Sequence, residues 1–216
     1  MQIGPALIVE CPNCKGDVEL MSLLSGNTIG GKRWWDLKTD YPMLPHISSV
    51  QYCQHCHRMF MLAEARIKGY GKNRSFETGQ LSFRLYSAAL HQMKDKLEGD
   101  LRVQLYMEYI WAFNDKYQRE SYRELCPCPH DDLAEFQDAI REFVTFFPAK
   151  NRLQLAEFLR EAKLFDEAMA IVEAEGEQTD ENYKALESMI REKCLAQDST
   201  VGLVNRKPKD EIALRI

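Results

Sequence analysis

Two short cysteine pairs constrain this chain more than any other feature of its sequence. They are Cys11-Pro12-Asn13-Cys14 and Cys53-Gln54-His55-Cys56, each with two residues between its cysteines. This spacing lets one tight turn direct two sulfurs at the same metal ion, and two such turns supply the four thiolates of a tetrahedral site. We therefore predict one metal site formed by Cys11, Cys14, Cys53 and Cys56, with zinc as the favoured ion and iron as the less favoured one.

The metal is expected to be structural, because four protein sulfurs close the coordination shell and leave no position for a reactive water. The pairs are 38 residues apart, more than the roughly 15–20 of a typical zinc ribbon, but the cost of closing a loop grows slowly with its length. Gly16 is expected to provide a positive φ after the first pair, where the second pair has His57 and Arg58. His55 and His57 are alternative ligands that we expect to be exposed.

Cysteine usage favours a reducing compartment. The chain has seven cysteines, an odd number, and four of them have metal-site spacing. A disulfide within or between the pairs would require an oxidising compartment, and a redox-active pair would require a βαβ setting that neither pair has. The first residues lack the basic region of a signal peptide, and no stretch approaches the roughly 18 apolar residues of a membrane span. We therefore expect a cytoplasmic protein with no membrane segment.

Charge and glycine content divide the chain into two parts. Residues 1–75 contain nine Lys and Arg against six Asp and Glu, whereas residues 76–216 contain 19 against 27. The glycine-containing stretch Gly69–Gly79 between them is typical of a linker or a long loop. We therefore predict an α+β protein with a small β-rich zinc ribbon at 1–75, carrying rubredoxin-like knuckles. An all-α domain at 79–197 and a tail at 198–216, loose from Gly202 onward, follow it.

Residue patterns predict the elements of both parts. Short apolar runs between turn residues predict strands at Ala6–Glu10, Asp17–Leu24, Arg33–Leu37 and Ser48–Cys53, and Met59–Ile67 is interpreted as a short helix. Beyond the linker, apolar residues recur every three or four positions, which predicts about six helices, each with one buried stripe. The clearest stripes are Phe83-Tyr86-Leu90-Met93-Leu97, Val103-Tyr106-Ile110-Phe113-Tyr117 and Leu133-Phe136-Ile140-Phe143-Phe147.

Two motifs in the ribbon suggest other ligands. Gly26–Lys32 matches the start of a phosphate-binding P-loop, but Arg33 replaces the Ser or Thr that holds magnesium. We interpret this stretch as a hairpin turn and predict no nucleotide binding. Lys32-Arg33-Trp34-Trp35, together with Lys38, is a basic and aromatic segment that could attract nucleic acid, although the acidic second part would oppose a polyanion.

A second group of potential metal ligands precedes the third predicted helix. Cys126, Cys128 and His130 lie in a proline-containing loop, and Cys194 could join them only if the fold brings it near. We favour an ordinary proline-rich turn over a second metal site.

The helical part resembles a known repeat family over a short stretch. Leu155–Ala168 resembles the helix–turn–helix crossing of a tetratricopeptide repeat, in which an aromatic and a small residue, here Phe165 and Ala168, lock two antiparallel helices. The whole layout is similar to that of uncharacterised bacterial proteins with a zinc ribbon before such helices. The shared features are Cys-Pro-x-Cys, Trp35-Asp36, the Pro42–Pro45 turn and the second cysteine pair followed by Phe60. This resemblance implies an architecture and no activity.

No catalytic motif is recognisable in the sequence, which contains no H-E-x-x-H, no G-x-S-x-G and no dinucleotide fingerprint. We therefore expect a non-enzymatic adaptor whose acidic helical part binds a protein with a basic or mixed patch. The alternatives are a nucleic-acid-associated factor that uses Lys32–Lys38 and an enzyme whose site is assembled from dispersed residues.

Overall fold

The computed structural model describes residues 1–77, 79–119, 127–148, 152–174 and 181–204, with no side-chain description for residues 181 and 182. Within these residues, small antiparallel sheets form the N-terminal part and six helices follow them. The four cysteines of the two pairs lie together in the N-terminal part.

The N-terminal part consists of short strands. They are β1 Gln2–Ile3, β2 Leu7–Glu10, β3 Asp17–Leu20, β4 Leu23–Ser25, β5 Lys32–Arg33, β6 Thr39–Asp40, β7 Val50–Tyr52, β8 Met59–Met61 and β9 Arg66–Tyr70. β2 is the centre of a three-stranded sheet between β3 and β9, and the other strands form the pairs β1–β4, β5–β6 and β7–β8. Alternation along β3 buries Val18 and Leu20 and exposes Asp17 and Glu19.

The helix predicted at Met59–Ile67 is not formed. Met59–Met61 is strand β8, a single 3₁₀ turn follows at Leu62–Glu64, and β9 begins at Arg66. The reason is that β8 is buried on both faces. Phe60 packs with the cysteines, and Met59 and Met61 pack with the helices. A continuous apolar run of this length does not distinguish a strand buried on both faces from a short helix.

The segment Arg33–Leu37 was predicted to be a strand, and the structure differs from this prediction. Strand β5 ends at Arg33, and the chain then turns tightly, with Leu37 at a φ of 66° and the Trp34 amide donating to the carbonyl of Lys38. β4 and β5 pair with other strands and not with each other, so the stretch predicted as a hairpin turn, Gly26–Lys32, is a loop that ends at the first residue of β5.

The predicted linker is attached to the sheet. β9 extends to Tyr70, and beyond it the Ala6 amide donates to the Asn73 carbonyl at 2.7 Å and the Met21 amide donates to the Glu77 carbonyl at 2.8 Å. Gly79 has a φ of 69°, and a Cβ at this position would lie 2.1 Å from Oε1 of Gln51. Only glycine fits this close approach.

The helices are α1 Phe83–Met93, α2 Gly99–Tyr117, α3 His130–Phe146, α4 Arg152–Glu161, α5 Phe165–Glu173 and α6 Glu181–Leu195. α2 is the central helix. Leu105–Ile110 is buried without interruption because α1, α3 and the N-terminal strands surround α2. The main hydrophobic core includes Val50, Met59 and Met61 besides the helical residues, so the β7–β8 hairpin and the helices share one core.

The chain after α6 returns to the N-terminal part. Ser199, Thr200 and Val201 are buried, Leu203 pairs with Trp34, and the Val204 amide donates to the Arg33 carbonyl at 2.9 Å. The expected loose tail therefore does not begin at Gly202, because residues 202–204 lie alongside the residues that follow β5. The remainder of the predicted tail, 205–216, lies outside the described residues.

Candidate metal centre

The two cysteine pairs form turns with the same backbone hydrogen bonds. In the first, the Cys11 carbonyl accepts from the Lys15 amide at 3.0 Å, and the Cys11 amide donates to the Gly16 carbonyl at 2.9 Å. In the second, the Cys53 carbonyl accepts from the His57 amide at 2.8 Å, and the Cys53 amide donates to the Arg58 carbonyl at 3.0 Å. The two cysteine turns therefore have the same local structure, and they face each other.

The four sulfurs of Cys11, Cys14, Cys53 and Cys56 lie within 4.8 Å of one another. The closest pairs join the two turns, with 3.8 Å between Cys11 Sγ and Cys56 Sγ and 3.6 Å between Cys14 Sγ and Cys53 Sγ. A tetrahedral ion with metal–sulfur bonds of about 2.3 Å places its sulfurs about 3.8 Å apart. The donor set and its spacing therefore fit a tetrahedral four-thiolate metal site.

The positive φ of each turn is not provided by glycine. Lys15 has a φ of 64° and His57 a φ of 58°, so the residue directly after each second cysteine adopts the left-handed conformation. Gly16 is required for space instead. A Cβ on Gly16 would lie 2.6 Å from Cδ2 of His55, whose Nε2 is 2.9 Å from the Asp17 carbonyl. His55 therefore packs across the first turn, and both it and His57 are exposed, as expected.

The thiols influence one another's pKa values. Burial raises the pKa of Cys11, but hydrogen bonds from the amides of Cys14 and Asn13 outweigh it and lower this pKa to about 7. Burial raises the pKa of Cys56 to about 12, and the thiols of the other three cysteines add to this increase. Four thiolates without a cation would repel one another, and a divalent cation removes this penalty.

A small apolar cluster packs against the buried cysteines of the candidate metal centre. Val9, Val18 and Leu20 of the three-stranded sheet pack with Phe60 and the two buried cysteines, Cys11 and Cys53. This cluster is much smaller than the main core. A core of this size is typical of domains that need a metal to remain folded.

The second group of potential ligands, for which a proline-rich turn was favoured over a metal site, does not come together in the described residues. Cys126 lies outside them, His130 is exposed, and Cys194 is 4% exposed in the main core, where burial raises its pKa to about 11. Cys128 is half-buried. In the described part of the chain, the four-cysteine cluster is the only group of three or more potential ligands close enough to share an ion.

The basic and aromatic segment makes contacts inside the protein. Lys38 is 9% exposed, and its Nζ lies 3.1 Å from Asp40 and 2.6 Å from Asp115. Trp34 Nε1 donates to Asp40 at 2.7 Å, and the Arg119 guanidinium lies over the Trp34 ring at 4.3 Å. Lys32 is exposed. Of the side chains that were considered for nucleic-acid contact, Lys38 therefore contacts α2 and Trp34 contacts Arg119, which follows α2.

The crossing between α4 and α5 contains two small residues, one of which, Ala168, was noted in the sequence. Ala162 and Ala168 are fully buried, and Phe165 is half-buried against the core. Lys163 turns the chain with a φ of 60°, and Nε2 of Gln137 on α3 donates to the Ala162 carbonyl at 2.9 Å. The two helices therefore pack closely through a three-residue turn.

Buried acidic residues are the feature that sequence patterns did not reveal. Glu108 on α2 is 2% exposed and accepts hydrogen bonds from Ser48 Oγ at 2.7 Å, Tyr86 Oη at 2.9 Å and the Ser49 amide at 2.8 Å, with His46 Nε2 at 3.2 Å. Burial alone would raise the pKa of Glu108, but the hydrogen bonds from His46, Ser49 and Ser48 outweigh it and lower the pKa. Glu108 thus attaches the segment before β7 to α2.

Comparison of the chain with known protein families, with curated proteins and with solved structures finds no match. Among the described helices, none combines the length and the apolar character that crossing a bilayer requires.

Proposed function

We propose that this protein is a zinc-binding, non-enzymatic interaction protein of the cytoplasm. One observation carries the proposal: four sulfurs on two equivalent turns, with the closest pairs 3.6 and 3.8 Å apart, have the spacing of a tetrahedral metal site. Zinc is favoured over iron because closed sites with four cysteines are its usual structural sites in proteins.

The closed donor set supports a structural role for the metal. All four ligands come from the protein, so the ion has no position for a substrate or an activated water. Its role in this proposal is to hold two turns together over a small apolar cluster. The second of these turns connects β7 and β8, which pack against the helices.

The helical part is proposed to bind a protein partner. Residues 76–216 carry 27 acidic against 19 basic residues, so the partner should present a basic or mixed patch. The packing of α4 and α5 around Ala162 and Ala168 supports a tetratricopeptide-like helix pair, a type of structure that commonly presents a binding surface for peptides or helices. The partner surface is proposed to lie within residues 79–197.

Capture of partners by the full-length, metal-loaded protein tests this function. We expect one or more proteins to be retained at low salt and released as the salt concentration rises, because attraction between exposed charges is screened. The test variant has four exposed acidic residues of α5 and α6 changed to Asn or Gln, namely Asp166, Glu167, Glu173 and Glu192. This variant should no longer retain the captured proteins. An equal number of neutralised lysines in the N-terminal part is the matched control. Retention of no protein at low salt would contradict the proposed role.

A further inference from the structure

The contact between the N-terminal part and the helices contains several buried charged side chains. Asp36, from the turn after β5, enters the helical part and is fully buried. Glu157, Arg160 and Glu161 at the end of α4 are each no more than 1% exposed. Asn114 of α2, also fully buried, lies between the two groups.

The side-chain amide of Asn114 joins two carboxyl groups. Its Nδ2 donates to Oδ2 of Asp36 and to Oε2 of Glu161, both at 3.0 Å. Asp36 has further donors, namely Nη2 of Arg119 at 2.8 Å and the Lys38 amide at 3.1 Å. Glu161 receives only the bond from Asn114 among the described residues. The two carboxyl groups therefore have different environments.

Besides Nη1 of Arg119, two oxygen atoms in this arrangement have no hydrogen-bond partner among the described residues. They are Oδ1 of Asn114 and Oε1 of Glu161, and both are buried. In each of these side chains the other terminal atom, Nδ2 of Asn114 or Oε2 of Glu161, forms the hydrogen bond that joins the two residues. If Glu161 is ionised, both atoms are acceptors, and each incurs the penalty of an unpaired buried polar group.

We propose that Glu161 is protonated in the folded protein and donates this proton from Oε1 to Oδ1 of Asn114. The carboxylic acid and the carboxamide then form two antiparallel hydrogen bonds, and one proton provides partners for both oxygens. The same pairing cannot form with an ionised Glu161, because two acceptors would then face each other.

The charges around Glu161 agree with this assignment. The charged groups that face this cluster are Asp36 from the turn after β5, Asp115 and Arg119 from α2 and the residues after it, Glu157 and Arg160 from α4, and Asp198 from the segment after α6. Arg160 forms two hydrogen bonds with Glu157, at 2.8 and 2.6 Å, and Arg119 bonds to Asp36. Neither guanidinium forms a hydrogen bond with Glu161 among the described contacts. Burial raises the pKa of Glu161 well above its usual value, the negative charges of Glu157 and Asp36 add to this, and together they outweigh the opposite effects of the Arg160 charge and of the hydrogen bond from Asn114.

The buried proton makes the contact between the two parts sensitive to pH. Because the folded protein holds this proton at pH values where an unfolded chain has released it, stability falls as the pH rises from the unfolded pKa, about 4.5, to the folded one. Over this window each pH unit changes the unfolding equilibrium constant by up to tenfold. Above it, Glu161 is charged beside Asp36, and the attachment of residues 34–38 to α2 is weakened.

Glu161→Gln tests the proposal, because glutamine keeps the acceptor for Asn114 Nδ2 and supplies a permanent donor to Oδ1. Chemical unfolding of the full-length, metal-loaded protein should give similar stability for wild type and variant near pH 5. From there to pH 8.5 the variant should become progressively more stable than the wild type. Glu157→Gln is the matched control on the same helix, and it should be destabilised throughout because it leaves Arg160 without its carboxylate.

Infrared spectroscopy of the folded proteins at pH 7 provides a second measurement that does not depend on comparing stabilities. The carbonyl band of a protonated carboxylic acid should be present in the wild type and absent in Glu161→Gln. A Glu161→Gln variant that is less stable than the wild type by the same factor at every pH, or a wild-type spectrum without the acid band, would show that Glu161 is ionised and would overturn the proposal.

Discussion

Single residues decide how the cysteine turns are formed. The left-handed conformation falls on Lys15 and His57, and Gly16 provides space for the His55 ring. The spacing of the cysteines predicts which residues come together, because it depends only on the reach of one turn. It does not predict that Gly16 is needed for space, since this depends on a ring 39 residues further along the chain.

Gly16→Ala is expected to destabilise the N-terminal part by about 1 kcal/mol, because the new methyl group displaces His55 and its hydrogen bond to the Asp17 carbonyl. Urea unfolding of the metal-loaded protein measures the change. The control is a double-mutant cycle, because Gly16→Ala should cost much less in a His55→Ala background. Equal costs in both backgrounds would mean that His55 is not the obstacle.

Among the secondary-structure elements, the helices are predicted from periodic stripes of apolar residues. Contacts of charged residues with distant parts of the chain are not predicted. Phe83, Tyr86 and Leu90 lie on one buried face of α1 because helical spacing repeats along the sequence. The segment that forms strand β8 was wrongly predicted to be helical, because its apolar run is buried on both faces. The contacts of Glu108 join residues about 60 positions apart, so no local pattern marks Glu108 as buried.

Glu108→Gln is expected to lower the free energy of unfolding at pH 7 by about 2–3 kcal/mol, because an amide cannot accept all the hydrogen bonds that the carboxylate receives. The folded pKa of Glu108 is lowered, so its contribution is present above the unfolded pKa of about 4.5 and is lost as the pH falls below that value. Urea unfolding should show a difference from wild type that shrinks between pH 6 and pH 3. The exposed Glu192→Gln should show no such trend.

The whole molecule depends on contacts between its two parts. Val50, Met59 and Met61 belong to the helical core, Asp36 bonds to α2, and residues 198–204 return to the strand region. The change in charge and the glycines near residue 75 indicate a boundary in the sequence, but they contain no information about packing across it. Buried polar groups at such a contact become visible only when their partners are placed in space.

The candidate metal centre bears on the whole molecule, because its second turn joins β7 to β8, and this hairpin packs in the shared core. X-ray absorption spectroscopy at the zinc edge, combined with elemental analysis of the purified protein, tests it most directly. We predict one zinc per chain with four sulfur ligands at about 2.3 Å. A protein that is folded without a bound metal, or a metal ligated mainly by nitrogen or oxygen, would contradict the proposed four-cysteine site.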